Sequence, residues 1–266
     1  MRVRLMADAM RTTAVLLLCV LVAGCVSQRE GTFASGNPDK AEDAYVRLGL
    51  AYIQDDRFER ARRHLDRALE INDESAPAIA ARGLISQEEG EFDLAEKRFK
   101  KALELDPEYT RGRSHYGVFL FNRGRYEEAL EQFRHASENT DYDNRAGVFI
   151  NLARSAGRLD RPDEAAEAYQ RAMQLQRGNV TAHIGAVSSL VEAERYAQAR
   201  SLYRQLTMRI DRSAEVSHTP ESLLAGIRLA REAGRDDRAS KLARQLGERF
   251  PDSQEYQQYR NMVTDE

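Results

Sequence analysis

An alanine returns along this chain at a nearly constant interval: Ala61, Ala95, Ala129, Ala165, Ala199 and Ala239 are separated by 34, 34, 36, 34 and 40 residues. Self-similarity at such a period constrains the fold more than any composition does. A unit of this length is one supersecondary element, unable to bury its apolar face alone, so neighbouring units must stack and share a core. Six units of 34 residues, with insertions of two and six residues, fill 42–253 without remainder.

Thirty-four residues is the tetratricopeptide period, two antiparallel helices per repeat. Repeat 1 (42–75) places Leu48, Gly49, Tyr52, Ala61, Leu65 and Ala68 at the positions of that pattern. Repeat 2 (76–109) supplies Gly83, Ala95, Phe99, Ala102 and the closing Pro107; repeat 3 (110–143) supplies Tyr116, Gly117, Gly124, Tyr126, Ala129, Phe133 and Ala136. Repeat 4 (146–179) has Leu152, Ala153, Ala165, Tyr169 and Ala172, and repeat 5 (180–213), the most divergent, Tyr196, Ala199 and Tyr203. Repeat 6 (220–253) has Gly234, Ala239 and Pro251. Small residues belong where two helix backbones approach most closely, and the aromatic residues fill the gaps between helices. The prolines respect this division: Pro77, Pro162 and Pro220 stand at helix starts, where a missing N–H costs little. The sequence therefore predicts an all-α, right-handed α-solenoid of six helix pairs. Residues 254–266 are expected to form a capping helix and tail.

The N-terminus has a different grammar. Arg2, Arg4 and Arg11 precede the apolar run from Ala14 to Gly24, and Cys25 follows. Eleven residues are too few to cross a hydrocarbon core of roughly 30 Å but suit the h-region of a secretory signal. The true start is Met1, Met6 or Met10, since the shorter form from Met10 has the same plan. The cleavage region Val22-Ala23-Gly24-Cys25 resembles the lipobox of bacterial lipoproteins, with Val22 where Leu is usual; the alternative is a chance triplet. That resemblance implies a signal peptide over 1–24, cleavage between Gly24 and Cys25, and acylation of Cys25. Cys19 would leave with the signal, so no disulfide remains available, and the charge would move from −3 to −5. No Asp follows Cys25, and resemblance to sorted lipoproteins then implies the outer membrane. Residues 25–41 read as the lipidated N-terminus and a flexible tether.

Motifs for chemistry are scarce. The near balance of 40 Lys+Arg against 43 Asp+Glu argues against a nucleic-acid partner. His64, His115, His135, His183 and His218 fall in different repeats at no metal-ligand spacing, and no nucleotide-binding or hydrolase motif stands in a suitable context. The expectation is a non-enzymatic protein without cofactor, metal or small-molecule substrate. Glu88-Glu89 and Glu127-Glu128 fall at inter-helix turns, where paired acids are ordinary in this repeat. His64 and the interleaved charges around it read as a solvated face.

A stacked array offers an inner face lined by the first helix of each pair. Val46, Leu50, Ile53, Leu84, Val118, Phe121 and Ile150 fall there in repeats 1–4, and Arg154, Ser188, Glu192, Arg228, Arg231 and Glu232 further on. The predicted groove is apolar in its N-terminal half and polar in its C-terminal half. An apolar groove accepts an amphipathic helix or an extended peptide. The alternative for the same side chains is inter-repeat core.

A lipobox followed by six such repeats resembles the type IV pilus biogenesis/stability lipoproteins, the PilF/PilW-type pilotins. The stretches that carry the likeness are HYGVFLFNRGRYEEALEQF from His115, RAGVFINLA from Arg145, SLLAGIRLAREAGRDDRA from Ser222 and FPDSQEYQQY from Phe250. The resemblance implies a lipid-anchored adaptor whose repeats face the periplasm. It would carry secretin subunits to the outer membrane and promote their assembly into a multimeric pore. Only Cys25 carries over as a residue of known role. A general outer-membrane repeat adaptor for envelope or peptidoglycan enzyme complexes is the other expectation.

Overall fold

The structure, a computed structural model, describes residues 37–212 and 216–264. The expected signal segment, Gly24, Cys25 and the expected tether as far as residue 36 lie outside the described residues, as do 213–215 and 265–266. Residues Glu42–Glu266 form one compact unit.

The described residues contain thirteen helices and no strand. They are α1 (Pro38–Gln54), α2 (Phe58–Ile71), α3 (Ala76–Glu88), α4 (Phe92–Leu105), α5 (Thr110–Asn122), α6 (Tyr126–Glu138) and α7 (Arg145–Arg158). Then follow α8 (Pro162–Leu175), α9 (Val180–Glu192), α10 (Tyr196–Arg212), α11 (Pro220–Glu232), α12 (Asp236–Arg249) and α13 (Gln254–Thr264). Odd-numbered helices pack on one another in succession from α3 to α13, and each also packs on the even-numbered helices beside it. The molecule is thus a layer of first helices backed by a layer of second helices, and α13 takes the place of a seventh first helix. No described helix is long and apolar enough to cross a membrane.

Helix α1 begins earlier than the tether expected over 25–41 allows, because residues 38–41 are already helical. Asn37 caps them: its Oδ1 accepts the Asp39 N–H at 2.9 Å, and Pro38 takes the first helical position, where its missing N–H is not needed.

The turn inside each pair repeats one device. The N–H of Arg57, Glu91, Arg125, Arg161, Arg195 or Arg235 reaches back five residues to the carbonyl of Tyr52, Ser86, Leu120, Ala156, Leu190 or Ala230, at 2.8–3.0 Å. This closes a Schellman motif, which needs a left-handed residue just before it. Gly90, Gly124 and Gly234 fill that place freely, whereas Asp56, Asp160 and Glu194 hold φ of 55–57°. The second helices lack side-chain caps at Arg57, Glu91, Arg125, Arg161 and Arg235, yet α2, α4, α6, α8 and α12 carry Asp or Glu in the first turn. Those charges complement the helix dipole.

The core is a chain of apolar clusters. One joins Ala61, Leu65 and Ala68 of α2 to Val46, Ala78, Ala81 and Ile85; the largest runs from α3 to α8 around Phe99, Phe119, Leu120 and Phe133. A third links Ala166 and Ile184 to Tyr203 and Leu229, and the last places Tyr256, Tyr259 and Met262 of α13 against Leu223, Ile227 and Leu246. The first three clusters span neighbouring pairs and the last joins the sixth pair to α13, so no pair buries its face alone.

Candidate partner-binding face

The residues of the expected apolar groove divide by depth. Val46 is only 4% exposed and belongs to the core with Ala61 and Leu65. This corrects its place on the free face: the face of α1 that carries it turns towards α2. Leu50 and Ile53 are half-buried and pack against the same cluster. Leu84, Val118 and Phe121 are half-buried against the large central cluster, and Ile150 is half-buried on α7. These half-buried side chains meet the core on one side and solvent on the other.

Phe121 marks the change from apolar to polar. Its ring meets the Tyr126 ring edge-on at 5.2 Å between centroids, and the Arg154 guanidinium lies over it at 5.2 Å. Arg158 lies over Tyr126 at 4.8 Å and donates to its hydroxyl at 2.6 Å.

Beyond Arg154 a polar groove of about 630 Å³ crosses α7, α9, α11 and α13. Arg154, Ser188, Glu192 and Arg228 line it, together with Arg158, Glu221, Gln254, Glu255 and Gln258. Glu232 does not belong to this face. It is absent from the groove lining and is bound instead by Arg200 of α10, in the second-helix layer. The residues missed in the sequence were legible from its period: Gln254, Glu255 and Gln258 stand 34 residues after Pro220, Glu221 and Leu224. Stopping the period at the last full repeat hid them.

The groove walls act on the carboxylates. Burial pushes Glu192 above the usual carboxylate range, partly offset by Arg228, and does the same to Glu221, against which Ser188 acts while Glu255 and Glu192 add repulsion. Both residues keep an open surface to water, which limits the effect. The Ser188 hydroxyl beside Glu221 is buried without a full hydrogen bond of its own.

A different cluster secures the second-helix layer. Arg125 binds Glu96 at 2.7 Å and Glu128 at 2.6 Å, while Tyr116 donates to Glu96 at 3.1 Å and Lys100 lies 2.8 Å away. Chiefly through Arg125, the Glu96 carboxyl is held down at about 2. The same link recurs one repeat on, Arg161 to Glu127 at 3.7 Å, and again from Arg195 to Asp163 at 3.2 Å. These ion pairs join the turn of one pair to the second helix of the pair before it.

His64, read from the sequence as a solvated face residue, stacks between Tyr52, at 5.2 Å, and Tyr45, at 6.1 Å. Among the described residues no group of three or more His, Cys, Asp or Glu is placed to hold a metal ion.

Tetratricopeptide-repeat family models match residues 42–75, 76–109, 109–178 and 158–225. The type IV pilus assembly protein PilF of Pseudomonas aeruginosa is 34% identical over 256 residues, spanning 94% of this chain and 97% of that protein. A solved structure of Pseudomonas aeruginosa PilF superposes with a TM-score of 0.69 at 34% identity, covering 85% of this chain and 99% of the other. The structure of PilW, a type IV pilus biogenesis factor, gives a TM-score of 0.63 at 21% identity over 82% and 97% of the two chains, a likeness of fold.

Proposed function

The chain belongs to the family of the type IV pilus assembly protein PilF, and from that premise we propose that it is a non-enzymatic, lipid-anchored adaptor that binds secretin subunits and promotes their localisation and multimer assembly in the outer membrane. The full-length kinship, reaching both ends of the array rather than a few generic repeats, is the observation that carries this reading. The lipobox supports the anchor: acylation at Cys25 with more than one chain gives stable membrane attachment, where a single chain binds only marginally. The repeats then project into the periplasm and hold the client beside the bilayer.

The apolar half of the first-helix layer supports a groove for the client. Leu50, Ile53, Leu84, Val118, Phe121 and Ile150 offer apolar edges along α1, α3, α5 and α7. An amphipathic helix or an extended segment of the secretin fits such a surface. The test is Phe121→Glu, read by cross-linking to the secretin and by circular dichroism. The expected result is at least tenfold weaker capture with the helical signal retained. Loss of helicity instead would place Phe121 in the core alone and remove it from the groove.

A further inference from the structure

A cleft of about 190 Å³ opens between the fifth and sixth pairs, where α10, α11 and the start of α12 meet. Its lining includes four arginines, Arg200, Arg204, Arg235 and Arg238, and no Asp or Glu. Arg200 is engaged by Glu232. Among the described residues, no carboxylate lies within ion-pair distance of Arg204, Arg235 or Arg238, so the cleft gathers their charge without a neutralising side chain.

A second observation comes from the floor of the cleft. Tyr203 is 4% exposed, and its hydroxyl is buried without a hydrogen-bond partner. Burial pushes the phenol up to about 12, so it remains an O–H donor. The ring reaches this place because Val187 occupies the position that is Gly49, Gly83 or Gly117 in the first three repeats, and Tyr203 lies instead over Gly226 of the next pair. A buried hydroxyl without a partner is costly, and such groups call for a ligand or an ordered water.

We propose that this cleft is a binding site for a phosphate group, either free inorganic phosphate or the phosphate of an anionic lipid headgroup, held by Arg204, Arg235 and Arg238 with Tyr203 as the buried donor. Three unpaired guanidiniums and a hydroxyl match an anion with acceptors on several sides and more than one negative charge, whereas a lone carboxylate would employ a single fork. The volume suits one such group and is below that of a drug-sized pocket. The site lies in the last two repeats and does not depend on secretin binding.

The full-length chain in neutral detergent provides the test, by thermal unfolding at 222 nm in inorganic phosphate against chloride of equal ionic strength. Ligand linkage gives an expected rise in Tm of roughly 5 °C at saturating phosphate. Arg204→Gln and Arg238→Gln, both at exposed side chains, should each remove at least half of that rise. Tyr203→Phe should leave the unliganded chain no less stable, since it deletes an unpaired hydroxyl, yet reduce the phosphate-dependent rise. Short-chain phosphatidylglycerol below its micellar concentration, against phosphatidylcholine, separates the two sources: a larger rise than inorganic phosphate assigns the headgroup, an equal or smaller one free phosphate. An equal response to chloride, or an undiminished rise in both arginine variants, overturns the proposal.

Discussion

A β-carbon on Gly185 would fall 2.4 Å from the ring of Tyr169, and one on Gly226 2.1 Å from the Tyr203 hydroxyl. In repeats 1–3 the equivalent side chains, Leu65, Phe99 and Phe133, lie over a glycine of their own pair: Gly49, Gly83 and Gly117. With Ala153 and Val187 in that place, Tyr169 and Tyr203 reach over a glycine of the following pair. Gly185→Ala, which in an open helix would stabilise by ~1 kcal/mol, should therefore destabilise by about 1–3 kcal/mol through overpacking, measured as a lower urea midpoint with unchanged slope. The motif glycines were legible in the sequence because they keep the 34-residue register. Gly185 and Gly226 were not, because what requires them is an aromatic ring in the preceding repeat. Glu96 is the other residue whose setting decides its behaviour. Its carboxyl falls from 4.5 to about 2 on folding, so its contribution is complete above about pH 4.5 and is lost as pH falls towards 2. Arg125→Ala should cost about 1–2 kcal/mol at pH 7, reduced by water at the partly open pair. In a pH series of urea midpoints that difference should shrink below pH 4.5; a difference constant down to pH 2 would deny the link.

At the scale of elements, the helix pairs and their turns were readable because small residues, aromatics and prolines recur with one period. Two features were not. Helix α1 starts at Pro38, because Asn37 caps it and no repeat signal reaches that far upstream. Glu232, expected on the inner face, is bound by Arg200 of α10, a pairing between neighbouring repeats that the period does not encode. Helix α13 occupies the seventh first-helix position and covers Leu223, Ile227 and Leu246 with Tyr256, Tyr259 and Met262. A terminal repeat without its cap loses its nearest-neighbour contacts. Ending the chain after Ser253 should thus lower amide-exchange protection in α11 and α12 first, with α3 to α6 unchanged. Uniform loss along the array would show that the cap acts on the whole stack instead.

At the scale of the molecule, a row of pairs sharing apolar clusters with their neighbours carries a first-helix face that passes from apolar to polar at Phe121 and Arg154, and a second-helix layer tied by arginine pairs from turn to turn. The apolar and polar halves were visible in the sequence, but the depth of Val46 was not, since period alone does not tell a groove edge from the core beneath it. The adaptor account makes one demand on the cell, that secretin subunits without this protein fail to assemble. Heat-resistant secretin multimers, measured on denaturing gels in a deletion strain restored with the wild-type chain or with Cys25→Ala, test it most directly. The account expects multimers to vanish in the deletion, return with the wild type, and be misplaced or depleted with Cys25→Ala; normal multimers in the outer membrane of the deletion strain would contradict it.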